Sequence, residues 1–232
     1  MSEVNRIADV YQTYRETAAK QALWDERNPG NQAILRERHS KTHRVLHSNG
    51  FLPLNGKKVL EVGCGTGKTL AGLVEFGAEP QKLFGVDLLP DRIEEAKSRY
   101  SNLHFECGNA EKLNFPNGSF DLILFFTVFS SILDGDMAKN VASEAQRVLK
   151  PGGAMLWYDF RFNNPRNPNV RGIRKKDIRD LFPKLKMHLS TITLLPPLAR
   201  RLGRSAAIVY PILSTIPFLR THYLGLLIKA EV

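Results

Sequence analysis

The sequence predicts an α/β fold in which helices cover both faces of a mostly parallel sheet. Three segments carry this prediction. Residues 59–62 form a short apolar run that leads through three alternating glycines into apolar residues at helical spacing. Residues 82–87 form a second apolar run followed by a helix start, and residues 120–126 are almost continuously apolar, as expected of a strand covered on both faces. Strands that alternate with helices in this way favour parallel pairing.

The residues before the first strand predict helices. Apolar side chains at three- and four-residue steps define one helical face, formed by Ile7, Val10, Tyr11 and Tyr14. Residues 28–31 are turn formers that break this segment, and residues 34–46 predict a second helix. Residues 1–52 are therefore expected to be mainly helical.

The turn after the first strand contains Gly63, Gly65 and Gly67. Without a Cβ at these positions, a nucleoside ligand can lie directly against the backbone. A phosphate-binding P-loop would need glycine in place of Val62, and in a dinucleotide fingerprint the third glycine would come one residue later. The remaining pattern, acidic-x-Gly-x-Gly-x-Gly beginning at Glu61, resembles motif I of the class I S-adenosylmethionine-dependent methyltransferases.

The next two strands end in residues that fit the same family. Asp87 stands at the tip of the second strand, where a carboxylate can accept both ribose hydroxyls of a nucleoside. The resemblance implies that Leu88 packs on the adenine ring. It also implies that Asn109 and Ala110, after the third strand, face the adenine edge. Asn109 stands where the family usually has aspartate, so its acceptor oxygen is neutral.

The fourth and fifth strands extend the resemblance. By analogy with the family, Phe125, Phe126 and Thr127 would line the methionine and methyl end of the cofactor. Residues 137–150 predict a helix that ends at a Pro-Gly-Gly turn, and residues 154–158 predict the fifth strand.

This resemblance spans about residues 55–160 and implies S-adenosylmethionine as the cofactor. It also implies a Rossmann-like, seven-stranded, mostly parallel sheet. Residues 189–195 and 223–229 predict the sixth and seventh strands, of which the last is antiparallel.

We expect one methyltransferase domain over residues 1–232. Its parts are a helical lid (1–52), a cofactor-binding core (53–160) and an acceptor side with the last two strands (161–232). In the lid, the resemblance gives Tyr14 or Tyr11 two alternative roles. The tyrosine either donates a hydrogen bond to the cofactor carboxylate or packs the lid on the core.

A long polar loop follows the fifth strand, at the sheet edge where open α/β folds bind ligands. The candidate acceptor-binding residues are Tyr158, Arg161, Asn164, Arg166 and Arg171. Alternatively, the Asn and Arg side chains of this loop hold the loop itself together. Asp159 and His222 are the candidate general bases for a hydroxyl acceptor. Their alternative roles are to hold the loop and to cap a strand.

The formal net charge is +10, with the excess in the last third of the chain, which favours phosphate-bearing partners. Three acceptor classes follow. They are a small molecule such as a sugar, nucleotide-sugar or lipid-diphosphate glycan, then RNA or DNA, and then a prenylated quinone or other lipid at the membrane surface. Residues 125–128 lack the Asp/Asn-Pro-Pro-aromatic motif of amino-group base methyltransferases. Aromatic residues are also not interleaved with the cations, as base stacking would require.

Residues 163–172 and 220–224 resemble methyltransferases of bacterial polysaccharide clusters. We therefore predict O-methyl transfer to a small-molecule, glycan or lipid-linked hydroxyl, with nucleic acid as the less favoured acceptor. A scaffold subunit that binds the cofactor without turnover is the remaining alternative. The sequence leaves the oligomeric state open.

Residues 200–220 combine apolar runs with basic ends. Pro211 and Pro217 interrupt these runs, which are far shorter than the ~20 residues of a membrane span. The segment predicts either a core-packing helix or an interfacial patch that touches a bilayer or a lipid-linked acceptor.

Cys64 and Cys107 are the only cysteines. Because they are predicted on different strands, we expect no disulfide and a reduced, cytoplasmic setting. The N-terminal residues lack the basic start and apolar run of a signal peptide. No cluster of His, Asp and Glu has metal-ligand spacing, so metal dependence is not expected.

Overall fold

The computed structural model describes residues 2–23 and 25–231, whose strands form a seven-stranded sheet. The strands are β1 (Val59–Val62), β2 (Leu83–Asp87), β3 (His104–Cys107), β4 (Phe120–Phe126), β5 (Leu149–Phe160), β6 (Leu185–Leu194) and β7 (Arg220–Lys229). Their order across the sheet is β3-β2-β1-β4-β5-β7-β6. Neighbours among β1 to β5 are parallel, and β7 is antiparallel to both β5 and β6. The predicted mostly parallel sheet with an antiparallel last strand is confirmed.

Helices precede and connect the strands. They are α1 (Glu3–Glu16), α2 (Ala18–Ala22), α3 (Pro29–Ser48), α4 (Lys68–Gly72), α5 (Pro90–Arg99), α6 (Gly135–Val148), α7 (Lys175–Leu181), α8 (Pro196–Arg201) and α9 (Ala206–Leu213). Short 3₁₀ turns lie at Leu73–Phe76, Pro80–Lys82, Phe129–Ser131, Gly203–Ser205 and Pro217–Leu219.

The predicted break at residues 28–31 is in fact the start of α3. The Asn28 side chain accepts hydrogen bonds from the amides of Gly30 and Asn31, at 2.9 and 3.3 Å. Pro29 occupies the first helical position, where its missing N–H costs nothing. The same residues that indicate a turn in sequence therefore act here as an N-cap signal.

Apolar side chains alternate along the central strands and bury both faces of the sheet. In β4, Ile123 and Phe125 face a core shared with α1, α6 and α7. Leu122 and Leu124 face a second core, which includes residues of α3, α4 and α5. Burying one such side chain contributes roughly 1.5–3 kcal/mol to the free energy of unfolding. The two cores make the sheet a rigid platform for the residues at its carboxyl edge.

The start of β5 differs from the prediction. Phe120 pairs with Leu149, whereas Leu122 pairs with Ala154, so β5 contains a register shift. The Pro-Gly-Gly residues 151–153 lie within this irregular part of the strand. The helix therefore ends before them, at Val148, and the prolyl turn belongs to the sheet.

Helix α9 also differs from the prediction, because Pro211 lies inside it rather than ending it. One face of α9 is buried through Ala206 and Tyr210, and Ile208 and Ile212 are exposed on the other. Within residues 2–23 and 25–231, we find no helix with the length and apolar content needed to cross a bilayer.

Candidate functional site

A cavity of about 1080 Å³ lies at the carboxyl edge of the sheet. Its walls include residues at the ends of β1, β2 and β4, residues directly after β3, and one side of α1. Among the residues predicted to bind the cofactor, those on the cavity wall are Tyr14, Gly63, Asp87, Leu88, Asn109, Ala110 and Phe126. The fold thus brings segments that are far apart in sequence to one cavity, and their individual roles stay predictions.

In the glycine turn after β1, backbone amides donate hydrogen bonds to other groups of the protein. Gly63 N donates to the Val86 carbonyl at 2.7 Å, and Gly65 N donates to Asp87 Oδ2 at 2.8 Å. A phosphate cradle instead directs successive amides at its ligand. The turn is therefore better suited to a nucleoside sugar than to a phosphate group.

The three glycines of this turn are needed for different reasons. A Cβ on Gly63 would stand 2.8 Å from Val128 Cγ2, at the cavity wall. A Cβ on Gly67 would stand 2.6 Å from the Phe105 ring, in the core. Gly65 and Gly67 are not on the cavity wall, and all three have positive φ. Gly63 is thus the glycine whose missing side chain leaves room in the cavity.

Two polar residues on the cavity wall are held in fixed orientations. Asp87 is buried, and its Oδ2 and Oδ1 accept hydrogen bonds from Gly65 N and Leu89 N, at 2.8 and 3.0 Å. Each carboxylate oxygen can accept a further hydrogen bond. Asn109 Oδ1 accepts from Glu111 N at 3.0 Å, and its Nδ2 donates to Glu111 Oε2 at 2.9 Å. Both side chains are therefore set before a ligand binds.

Glu61 and Phe125, two residues of the predicted cofactor site, lie in the interior rather than on the cavity wall. Burial raises the pKa of Glu61 to about 8, although the charge of Arg38 and the Leu70 N–H oppose this shift. Among the described residues, Glu61 Oε2 has no hydrogen-bond partner. Phe125 packs edge to face on Phe129, with ring centroids 5.1 Å apart.

The backbone is strained at Thr127, which lines the cavity directly after β4. Its φ of 56° is a left-handed conformation that β-branched residues rarely adopt. Thr127 N donates to the Tyr158 carbonyl at 2.7 Å, and Ser131 Oγ donates to the Thr127 carbonyl at 3.1 Å. Strain of this kind costs roughly 1–3 kcal/mol and is concentrated at functional sites.

Helix α1 covers the cavity through side-chain contacts with distant segments. The Tyr11 hydroxyl lies 2.9 Å from Ser131 Oγ, and Asn167 Nδ2 donates to the Tyr14 hydroxyl at 2.8 Å. The Arg92 guanidinium lies 4.7 Å from the centroid of the Tyr11 ring. Burial raises the pKa of Tyr11. The helix thus lies at the cavity wall, and its action as a lid stays a prediction.

Several cavity residues lie outside the predicted site. Arg92 lies in the first turn of α5, shortly after Asp87 in the sequence. This short distance along the chain could have indicated that Arg92 reaches the same cavity. Such a signal is absent for the others, which come mainly from α1, α2, α5, α6 and the segment after β4. Besides apolar side chains they include the charged residues Arg15, Glu16, Glu95 and Arg99. The additional wall residues include Ile7, Arg92, Val128, Ser131, Ile132, Met137 and Val141.

The two candidate general bases do not contribute to the cavity wall. Asp159 is buried and accepts hydrogen bonds from Ser130 N and Phe160 N, at 3.0 and 2.8 Å. Burial raises its pKa to about 6. His222 is buried against the Tyr158 ring, with centroids 4.6 Å apart, and burial lowers its pKa to about 3. Asp159 thus holds the turn after β4 rather than the loop after β5, and His222 packs inside β7 rather than capping it.

The loop after β5 is held mainly by its own atoms. Asn164 Oδ1 accepts from Arg166 N at 3.0 Å. The backbone amide of Arg171 donates to the Ser130 carbonyl at 2.9 Å, which ties the loop to the turn after β4. These three candidate acceptor residues lie away from the cavity wall.

The other two acceptor candidates are engaged elsewhere. The Arg161 guanidinium stacks over the Phe162 ring, 4.3 Å from its centroid. The Tyr158 hydroxyl lies 3.0 Å from Thr193 Oγ1 in the interior. Neither residue lines the cavity, so acceptor binding by this set stays a prediction.

Residues 59–153 match a family model described as a methyltransferase domain. Among curated proteins, demethylmenaquinone methyltransferase of Chlorobaculum parvum is 32% identical over 128 residues, which cover 55% of this chain and 50% of that protein. A tRNA N(3)-cytidine methyltransferase of Gallus gallus is 30% identical over 112 residues, which cover 44% of this chain and 30% of that protein. The chain thus spans half or less of the length of these two relatives.

Among solved structures, the chain is similar to 1,6-didemethyltoxoflavin-N1-methyltransferase of Burkholderia thailandensis, determined with 1,6-didemethyltoxoflavin and S-adenosylhomocysteine bound. The TM-score is 0.64 at 16% sequence identity, and the alignment covers 97% of this chain and 87% of that one. At this identity the likeness shows the fold, in agreement with the Rossmann-like sheet predicted from the sequence. The segment matched by the family model includes the glycine turn, Asp87 and Asn109.

Proposed function

We propose that this chain, whose residues 59–153 match a methyltransferase domain, is a class I S-adenosylmethionine-dependent methyltransferase that transfers the cofactor's methyl group to a small acceptor. We further propose that the acceptor is largely apolar, that it is a free or lipid-linked molecule, and that a hydroxyl oxygen receives the methyl group. The observation that carries this proposal is the cavity at the carboxyl edge, where the glycine turn, Asp87 and Asn109 meet below the lid.

The polar residues of the cavity fit a nucleoside cofactor. In our proposal Asp87 accepts the ribose hydroxyls, Leu88 packs on adenine, and Asn109 with Ala110 borders the adenine edge. We assign Gly63 to the part of the cofactor that carries the sulfonium. A Cβ at this position would press against Val128 at the cavity wall. When bound, S-adenosylmethionine supplies an electrophilic methyl group.

The volume of the cavity leaves room for an acceptor beside the cofactor. Pockets that enclose one ligand of drug size measure roughly 300–1,000 Å³, and this cavity measures about 1080 Å³. Its apolar wall includes Ile7, Val128 and Ile132, next to the hydroxyls of Tyr11 and Ser131. Such a wall favours an aromatic or lipid-like acceptor over a bare sugar.

The chain contributes to the transfer mainly by positioning and by excluding water. In-line displacement accelerates when the two reacting atoms are held together in a closed site, and α1 provides that closure. Asp159 and His222 do not reach the cavity, and burial keeps the Tyr11 hydroxyl protonated at neutral pH. This arrangement suits an acceptor hydroxyl that ionises readily, such as a phenol or quinol.

Two observations would fit other acceptors. The net charge of +10 and the similarity to a tRNA methyltransferase fit RNA, and the same charge fits a phosphorylated glycan. The wall also contains the cations Arg15, Arg92 and Arg99, but its apolar part at Ile7, Val128 and Ile132 disfavours both as the group bound there. A reduced, cytoplasmic location is also part of the proposal, supported by the free thiols of Cys64 and Cys107.

The test follows the transferred methyl group. The purified chain is incubated with methyl-tritiated S-adenosylmethionine and, separately, with a total lipid extract, a mixture of phosphorylated sugars and total RNA. We expect label in the organic-soluble fraction, and slower labelling with the variant Asp87→Asn when the cofactor is below saturation. The matched control Asp121→Asn changes a carboxylate that binds Lys58 N and Lys150 Nζ away from the cavity, and it should retain transfer.

Label in RNA or in sugar would overturn the acceptor class and leave the methyltransferase activity standing. Failure of the folded wild type to bind S-adenosylmethionine in a calorimetric titration would overturn the proposed activity itself.

A further inference from the structure

The segment that joins β6 to β7 exposes three large apolar side chains. Ile208 and Ile212 of α9 and Phe218 of the following 3₁₀ turn are 72%, 62% and 75% exposed. We refer to these three residues as the α9 surface. Ala206 and Tyr210 are buried on the opposite face of α9 and hold it to the body of the protein. The apolar side chains therefore point outward from a fixed helix.

Ile208 and Ile212 are four residues apart on α9 and therefore share one face of that helix. Contiguous exposed apolar side chains mark sites of contact with a membrane or another protein. Pro211, between Ile208 and Ile212 on the same helix, is also exposed. The α9 surface is thus a candidate contact surface with a defined orientation.

The charge around the α9 surface indicates which partner it fits. Residues 181–230 contain seven Lys or Arg residues and no Asp or Glu. Arg201 and Arg204, just before α9, are exposed. On α3, Arg36, Glu37 and Lys41 line a cavity of about 420 Å³ together with Pro211 of α9. The Glu37 carboxylate accepts a hydrogen bond from the Tyr210 hydroxyl at 2.7 Å, so the cations are in excess there. Apolar side chains bordered by cations are the composition that binds an anionic lipid interface.

The same charge disfavours a second copy of this chain as the partner. A symmetric dimer apposes identical patches, so it would place these cations against one another. Unlike a second copy, a bilayer with anionic headgroups would neutralise them, and each cation near such a surface strengthens attachment.

The topology places the segment that carries the α9 surface at the same edge of the sheet as the cavity. β6 is parallel to β5, since both are antiparallel to β7. The end of β6 at Leu194 and the start of β7 at Arg220 therefore lie at the carboxyl edge, where β1, β2 and β4 also end. A bilayer that contacts α9 would be near the edge that carries the cavity.

We propose that the α9 surface docks the chain on an anionic lipid bilayer. Ile208, Ile212 and Phe218 enter the interfacial region, and Arg201 and Arg204 contact the headgroup phosphates. The proposal stands apart from the proposed methyl transfer, because attachment to lipid is measured without cofactor or acceptor.

The experiment is flotation of the full chain with vesicles of phosphatidylcholine alone and of phosphatidylcholine mixed with phosphatidylglycerol. We expect binding to the mixed vesicles that weakens as salt is raised. Ile208→Ser and Phe218→Ser should each lower the partition coefficient roughly tenfold, from the transfer free energy of a large apolar side chain. Arg201→Gln and Arg204→Gln should each lower it by roughly fivefold.

The matched control is Val74→Ser, which replaces a side chain that is 45% exposed on another part of the surface and should leave the partition coefficient unchanged. Melting temperatures close to that of the wild type would show that the variants are folded. Three results would overturn the proposal. They are absence of wild-type binding to the mixed vesicles, binding that Ile208→Ser and Phe218→Ser leave intact, and sedimentation of the wild type as a dimer that these variants dissociate.

Discussion

The buried carboxylate of Asp87 has one structural role and one proposed role in cofactor binding, and two measurements on the same variant separate them. Its Oδ2 and Oδ1 accept hydrogen bonds from the amides of Gly65 and Leu89, at 2.8 and 3.0 Å. These two bonds tie the glycine turn to the end of β2. The same carboxylate lines the cavity. Asp87→Ala therefore removes a structural anchor of the turn and the proposed ribose acceptor in one step.

The expected magnitude follows from these contacts. A hydrogen bond to a charged group contributes about 1.5 kcal/mol or more. Because the residue is buried, loss of both amide contacts should lower the free energy of unfolding by about 3 kcal/mol. Loss of two ribose hydroxyl contacts to the carboxylate should weaken S-adenosylmethionine binding by roughly 100-fold or more. Asp87→Asn keeps one acceptor oxygen and should weaken binding less.

The assay combines calorimetric titration of S-adenosylmethionine with denaturant unfolding of the same preparations. Asp121→Ala is the control, because Asp121 also anchors backbone, through Lys58 N at 2.7 Å, but lies near the amino end of β4. It should lower the free energy of unfolding and leave the affinity unchanged. Wild-type affinity in folded Asp87→Ala would refute the assignment of Asp87 to the cofactor.

Three further predictions concern the turn, its buried acid and the lid. Gly63→Ala should cost roughly 1–2 kcal/mol, because its φ is 69°, and should also weaken cofactor binding through the contact with Val128. Adding Val128→Ala should restore part of the affinity but little of the unfolding free energy, and equal affinities in wild type and Gly63→Ala would contradict this geometry. Glu61 has a pKa of about 8 when folded, against 4.5 as the ordinary value, so the folded state holds the proton more tightly. Stability should therefore fall as pH rises from 4.5 to 8, by up to about 1.4 kcal/mol per pH unit, and Glu61→Gln should flatten this slope in urea unfolding. Tyr11→Phe removes the contact with Ser131 and should release α1, measured as faster proteolysis within residues 3–16. Ser131→Ala should have the same effect and the double variant no more, whereas additive effects would mean that the two hydroxyls act separately.

The sheet and the polar half of the cavity were predictable because local rules determine them. An apolar run, a turn that requires positive φ and a carboxylate at a strand tip each depend on neighbouring residues only. The position of Asp87 at the end of β2 follows from such a pattern. Boundaries were less predictable. At Asn28, the same side chain can terminate one segment or cap the next, and only tertiary packing decides between them.

The spacing of a motif did not reveal which of its residues reach the cavity. Glycines 63, 65 and 67 all adopt the positive φ that the turn requires. Gly67, however, makes room for Phe105 in the core and not for a ligand. Phe125 and Phe126 are adjacent in sequence and point to opposite faces of the sheet, as strand geometry requires. Asp159 and His222, two polar residues at strand ends, are buried. His222 packs against the rings of Tyr158 and Phe160, a packing that has no local pattern in the sequence.

The wall of the proposed acceptor side depends on long-range contacts that join α1 to the rest of the protein. Tyr11 meets Ser131, and Tyr14 meets Asn167, across more than a hundred residues of chain. Asp159 supports these contacts indirectly. Its carboxylate accepts a hydrogen bond from Ser130 N and so fixes the turn that contains Ser131. The half of the cavity assigned to the cofactor is thus built from strand ends fixed by the sheet. The other half is held by a few side-chain hydrogen bonds, and a change of acceptor would require changes at those contacts while the sheet stayed as it is.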